Sequence, residues 1–189
     1  MGVRCPAIVA ALIVSTALCA QTEETRTLEI EGGATPSYSV RKHAADAHLQ
    51  RTAAELAPTS ALDAAKLLNL HLSTGDIEEA ALLSNSPRRR FEVLRDYRQS
   101  VGEEEFKRVF AQYFYPQNRL LAEIAIDRHH LLIWELNEGA VQVSPQYSHL
   151  AGQFFVEVDG RYFVDDVQND MRTRLRWVLE AYRSGKAAR

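Results

Sequence analysis

The spacing of apolar positions changes twice along this chain, and the changes divide it. Between Ser60 and Pro116 the period is helical. Ser60 is an N-cap residue type with Asp63 three residues on, and Leu62, Ala65, Leu67, Leu68 and Leu70 follow at helical spacing to about Leu72. Ser73-Thr-Gly75 stops that helix. Asp76 caps a second, with Ile77, Ala80, Ala81 and Leu83 as its apolar stripe. Ser86-Pro87 opens a third, proline standing at the first helical position. Phe91, Leu94, Tyr97 and Val101 carry it to Gly102. Phe106, Val109, Phe110 and Tyr113 make a fourth, which ends at Pro116.

The period then becomes two. Leu120, Ala122, Ile124 and Ile126 share one strand face, and His130 to Leu136 reads as a second strand after a tight turn at Asp127-Arg-His129. Asn137-Glu-Gly139 is a turn signal, and Val141 and Val143 begin a third strand that Pro145 interrupts. Phe154, Val156 and Val158 lead into Asp159-Gly160, with Tyr162 and Val164 returning, which is the clearest hairpin signal in the chain. From Val167 the helical period resumes. Met171, Leu175, Val178, Leu179 and Tyr182 form one face, with Arg172, Arg174 and Arg176 largely outside it. The prediction is an α+β domain over 59–184: N-terminal helices packed on an antiparallel sheet of about four strands, then a docked C-terminal helix at 167–184 and a frayed tail at 185–189.

Ahead of the domain, 21–58 is polar and reads as a linker or loosely ordered arm. Within it Thr27-Leu-Glu-Ile-Glu31 alternates as a short edge strand, and His43 to Leu56 has partial helical spacing. The first twenty residues have another character. Arg4 precedes an apolar run from Ala7 to Leu18, with small residues at Ala17 and Ala20 before the polar Gln21. That is the layout of a secretory signal peptide, too short to span a bilayer core. The expected destination is the periplasm or the exterior, with roughly 165 residues left after cleavage, enough for one domain. Cys5 and Cys19 both lie in this leader, so the cleaved chain has no disulfide, thiolate nucleophile or cysteine-held zinc. Thr16-Ala-Leu-Cys19 also has the outline of a lipobox, in which Cys19 is lipidated. Leu18 stands where that motif takes a small residue, which favours ordinary cleavage.

Two stretches resemble the NTF2-like, or cystatin-like, superfamily. One is Ala64-Ala-Lys-Leu-Leu-Asn-Leu-His-Leu-Ser-Thr-Gly-Asp76, a helix ending in a small-Gly-Asp turn. The other is Gly152-Gln-Phe-Phe-Val-Glu-Val-Asp-Gly-Arg-Tyr-Phe-Val-Asp-Asp166, an apolar-alternating hairpin about Gly160. The resemblance covers roughly 60–166. It implies a curved sheet that the helices close into a cone with an internal pocket, in a superfamily with many exported bacterial members. The chain departs from it in the helix-rich first half and in the added terminal helix. The paired Asp and Tyr pattern of the isomerase branch is not found, so the catalytic roles of that branch do not carry over.

Charge and candidate chemistry narrow the function classes. A net charge of −3 argues against general nucleic-acid binding, which needs phosphate neutralisation. No second apolar run is long enough to cross a membrane, and no nucleophile elbow, P-loop or dinucleotide fingerprint is present. Trp134, Phe154 and Tyr162 are the candidates to line a ligand pocket, with Trp177 as a further aromatic; all four fit a plain core as well. Asp127, His129 and His130 have metal-ligand residue types, with His149 a conceivable third nitrogen. Adjacent strand residues point to opposite faces, so no metal is expected. Arg88-Arg-Arg90 reads as a solvated basic helix start, offset by Glu92 and Glu103-Glu-Glu105, and otherwise as an anion-binding patch. Asp165, Asp166 and Asp170 lack the glycine of a calcium loop, and Asp165 or Asp166 is expected to cap the last helix. No catalytic residue is assigned and no cofactor is expected. The expectation is an exported, non-enzymatic binding or scaffold protein for a small apolar ligand or a protein partner. The alternatives are a cone-pocket enzyme with a buried Asp or His acid–base, and a periplasmic immunity or inhibitor protein.

Overall fold

A computed structural model describes residues 23–27, 37–44, 46–50, 58–136 and 149–185. Among them the helical half follows its local signals. α1 (Ala61–Thr74) begins where the Ser60 hydroxyl accepts the Asp63 N–H at 3.0 Å and ends at Gly75, whose φ is +85°. α2 (Ile77–Leu82) is capped by Asp76, which accepts from Glu79 N–H at 3.3 Å. α3 (Pro87–Val101) starts on its proline and stops at Gly102, and α4 (Glu103–Ala111) follows, closed by a short 3-10 turn at Gln112–Phe114.

The strands are β1 (Glu23–Thr27), β2 (Ser37–Lys42), β3 (Arg119–Ile126), β4 (His129–Glu135), β5 (Leu150–Val158) and β6 (Arg161–Val164). They form one antiparallel sheet in sequential order, β1 to β6. Three sequence expectations are corrected here. The sheet has six strands, because the supposed linker 21–58 supplies β1 and β2; Val40 sits opposite Ile124 and both are fully buried. The sheet is open, not curled into a cone: β1 and β6 are its two edges. Residues 43–44 and 46–50 are not helical. The leader, the strand expected at Val141–Val143, residues 28–31 and the last four residues lie outside the described set.

α5 (Asp170–Arg183) packs across one sheet face. Leu175, Val178 and Leu179, flanked by Met171 and Tyr182, meet Tyr38, Val40, Ile124, Leu131 and Ile133. The other face carries α1, α2 and α4, with Leu68, Leu72, Ile77 and Phe106 against Leu132, Trp134 and Phe155. β4 is therefore buried on both sides, and its alternation sorts the side chains. His130, Leu132 and Trp134 face the helical bundle; His129, Leu131 and Ile133 face α5. Gly152 on β5 is required by this packing: a Cβ there would stand 2.6 Å from Leu179 Cδ2 and 3.0 Å from Leu131 Cδ1. Gly152→Val is expected to cost about 1–3 kcal/mol by overpacking, read from urea unfolding.

The Asp159-Gly160 hairpin is as predicted. Val158 pairs with Arg161, and the two turn residues have φ of 51° and 74°. Both central residues thus have the positive φ of a type I′ turn. Nothing lies within 4 Å of a Cβ built on Gly160. Gly160→Val is thus expected to cost about 1–2 kcal/mol through backbone strain alone, and an unchanged melting temperature would contradict that.

Candidate functional site

Two histidines side by side on β4 each hold a buried carboxylate, one on either side of the sheet. On the bundle side His130 Nδ1 lies 2.8 Å from Glu123 Oε1, and Arg41 donates to Glu123 Oε2 at 2.9 Å. Glu123 and His130 occupy inward positions of β3 and β4; Leu132, opposite Glu123, and Phe155, opposite His130, belong to the bundle-side core. The Tyr162 ring meets the His130 ring edge-on at a centroid distance of 5.0 Å, and its hydroxyl donates to Glu157 at 3.4 Å. Among the described residues His130 Nε2 makes no hydrogen bond, and 13% of the side chain is exposed. Arg41, Glu123, His130 and Tyr162 therefore make a small ionisable patch with one imidazole nitrogen to offer.

On the α5 side the second pair is part of a larger network. His129 Nδ1 lies 2.9 Å from Asp165 Oδ2, and Asn85 donates to Asp165 Oδ1 at 2.8 Å. The next residue repeats the pattern. Asp166 accepts from the Ser84 hydroxyl at 2.7 Å and from Arg90 at 3.4 Å, and its N–H donates to Asn85 Oδ1 at 2.8 Å. Arg172 donates to the Asp165 carbonyl, with its guanidinium 5.3 Å over the Phe154 ring. Val164 N–H to Leu83 O at 2.7 Å and Asn85 N–H to Val164 O at 3.0 Å add backbone bonds along the outer side of β6. The α2–α3 junction, the β6–α5 junction and the start of β4 are thus tied at one point.

Electrostatics on the bundle side give a pH dependence. Burial pushes the Glu123 carboxyl up, but the His130 hydrogen bond and the charges of His130, Arg41 and His43 outweigh it and hold the group below the usual carboxylate value. Burial lowers His43, against the pull of Glu123 and with help from Arg41, and its Nε2 is buried without a partner. A lowered group contributes stability above its unfolded pKa and loses it as pH falls through the folded value. His43 is therefore expected to weaken the fold as pH drops below about 6.5, and Glu123 below about 4.3. His43→Gln should remove the upper step of a plot of unfolding free energy against pH, and Glu123→Gln should shrink the lower one. Persistence of the upper step in His43→Gln would assign it to another group.

The pocket candidates from the sequence do not converge. Trp134 is fully buried, edge-on to Tyr113 at 5.3 Å, and its Nε1 donates to Gln153 at 3.0 Å; Gln153 in turn donates to Asn69 at 3.2 Å. Burial pushes the Tyr113 hydroxyl up to about 12, so it stays neutral inside the core. Phe154 belongs to the α5 side and Tyr162 to the bundle side, so the sheet separates them. Trp177 is 44% exposed on the outside of α5. Among the candidate metal ligands, Asp127 takes a turn conformation with φ of 53°, His149 pairs with Glu135 at 3.4 Å, and no group of three ligating side chains converges among the described residues.

Two charge assignments also change. Asp165 and Asp166 do not cap α5; Asn169 does, accepting from Arg172 N–H at 2.7 Å. Arg88 is a solvated pair with Glu92 as expected, whereas Arg90 turns inward to Asp166. The sequence reading missed Glu123, Arg41, Ser84 and Asn85. In the sequence Glu123 falls opposite the apolar face of β3, and it becomes inward only because helices cover both faces of the sheet.

No helix among the described residues is long and apolar enough to cross a membrane. No known family model, curated protein or solved structure matches this chain.

Proposed function

We propose that this is an exported, non-enzymatic binding or scaffold protein of the cell envelope, with the Arg41–Glu123–His130–Tyr162 patch as its working surface. Its reading as an exported protein rests on the leader pattern. The observation that carries the binding reading is how the gathered carboxylates are used. Glu123, Asp165 and Asp166 are each held on both oxygens by groups of the same fold. The space between α1 and the sheet, where a cone would keep its pocket, holds Leu68, Phe106, Trp134 and Phe155, each at most 2% exposed. A ligand or protein partner then meets the side chains of His130 and Arg41, through hydrogen bonds to the imidazole and guanidinium edges.

The test is a ligand-observed NMR screen together with direct titration of candidate envelope proteins, each run on wild type and His130→Ala. Saturable binding lost in the variant supports the reading. A turnover activity that survives repurification and vanishes in His130→Ala overturns it.

One observation favours a second reading, that of an acid–base enzyme. Glu123 fixes His130 through Nδ1 and leaves Nε2 free among the described residues, the orientation a general base needs. A bell-shaped pH profile of any activity found would support that reading.

A further inference from the structure

We propose that the junction of α3 and α5 binds an oxyanion, a phosphate, sulfate or carboxylate group held between Arg90 and Arg172. The argument begins with donors. The Nε–H groups of Arg90 and Arg172 are both buried and both without an acceptor. A buried donor left unpaired is costly, and native structures rarely keep two in one place.

The local acceptors are already taken. Asp165 spends its carboxylate on His129 and Asn85, and its carbonyl receives Arg172. Asp166 spends its carboxylate on Ser84 and on the terminal nitrogen of Arg90. Neither carboxylate is reached by either Nε–H, and both donors remain unpaired.

The electrostatic setting is one of buried guanidiniums. Arg90, Arg172 and Arg176 gather here, with His129 beside them, against the carboxylates of Asp165 and Asp166. Burial lowers Arg172 from its ordinary value; Asp165 and Asp166 oppose this, and Arg176 and Arg90 depress it further. Burial likewise lowers Arg90, with Asp166 opposing. Arg90 and Arg172 are thus guanidiniums held in a buried setting, whereas Arg176, like Asp170 at the start of α5, is exposed. A tetrahedral or carboxylate oxyanion supplies several acceptor atoms in the geometry guanidinium groups prefer. This site is separate from the His130 patch, so the two proposals fail independently.

The test uses the full chain and inorganic phosphate, with sodium chloride at equal ionic strength as the control. Calorimetric titration and thermal melts should show saturable binding and a rise in melting temperature beyond that of the chloride control. Arg172→Lys keeps the charge but removes the Nε–H, and Arg176→Gln removes an exposed guanidinium whose charge acts on Arg172. Each should weaken phosphate binding by about tenfold or more, the loss expected for one charge-assisted contact, while keeping a cooperative melt.

A second arm separates the sources of the anion. Retention on phosphatidylglycerol vesicles, competed by phosphate, would identify a lipid headgroup; binding of phosphate without retention would identify a soluble anion. Either supports the site. Stabilisation by phosphate no greater than by chloride, or equal binding by wild type and both variants, would overturn it.

Discussion

A chain ending at Asp166 is expected to lose several kcal/mol of stability, expose one whole sheet face and aggregate. α5 buries Leu175, Val178 and Leu179 to 5% exposure or less, with Met171 and Tyr182 packed beside them. Three fully buried side chains contribute about 5–9 kcal/mol of transfer free energy. Part of that offsets the entropy of ordering a helix, so the net loss is smaller. A domain of this size has only about 5–15 kcal/mol in total. The shortened chain also uncovers Val40, Ile124, Leu131 and Ile133, an apolar sheet face in water. Urea unfolding, dye binding and sedimentation read the three consequences. A truncated chain that melts with the full-length protein and stays monomeric would show that α5 is dispensable to the domain.

Signals that act within a few residues were legible in the sequence, and those that act across the chain were not. Ser60, Asp76, Gly75 and Gly102 bound their helices because capping is decided within one turn. Asp159-Gly160 fixes its hairpin because both residues need positive φ. β2 shows the opposite case. Ser37-Tyr-Ser-Val-Arg-Lys42 has only Tyr38 and Val40 as apolar positions, which in isolation resembles a polar arm. It becomes a strand because Val40 pairs with Ile124, more than eighty residues away.

The ionisable clusters follow the same rule. Glu123 meets Arg41 and Asp165 meets Asn85 at sequence separations of 82 and 80. No spacing motif reports such pairs. Even the cap of α5 was decided at a distance. Asp165 and Asp166 had the right chemistry, but His129, Asn85, Ser84 and Arg90 engage them, and Asn169 caps instead. The aromatic candidates were named without regard to face: Trp134 and Tyr162 lie on the bundle side, Phe154 on the α5 side, and Trp177 is exposed.

Asp165→Ala is expected to be the most damaging point substitution at the network, at about 3–5 kcal/mol. The side chain is 1% exposed and serves His129 and Asn85 at once. Its removal leaves the buried His129 Nδ1 and the half-buried Asn85 amide without their acceptor, at about 1–3 kcal/mol for the buried group. Asp165→Asn should cost less. It keeps an oxygen for Asn85 and turns an amide towards His129, which can answer by placing its proton on Nε2. The pairing itself is measured by a double-mutant cycle. Asp165→Ala and His129→Ala should together cost less than the sum of their separate effects, with a coupling of about 0.5–3 kcal/mol. Both losses should appear mainly as earlier unfolding of the contacts among α2, α3 and α5, read as faster amide exchange at Asn85 and Val164, whose N–H groups donate across this junction. A loss under about 1 kcal/mol in Asp165→Ala would mean that the network adds little to stability. Strict additivity in the cycle would mean that His129 and Asp165 are neighbours that do not hold each other.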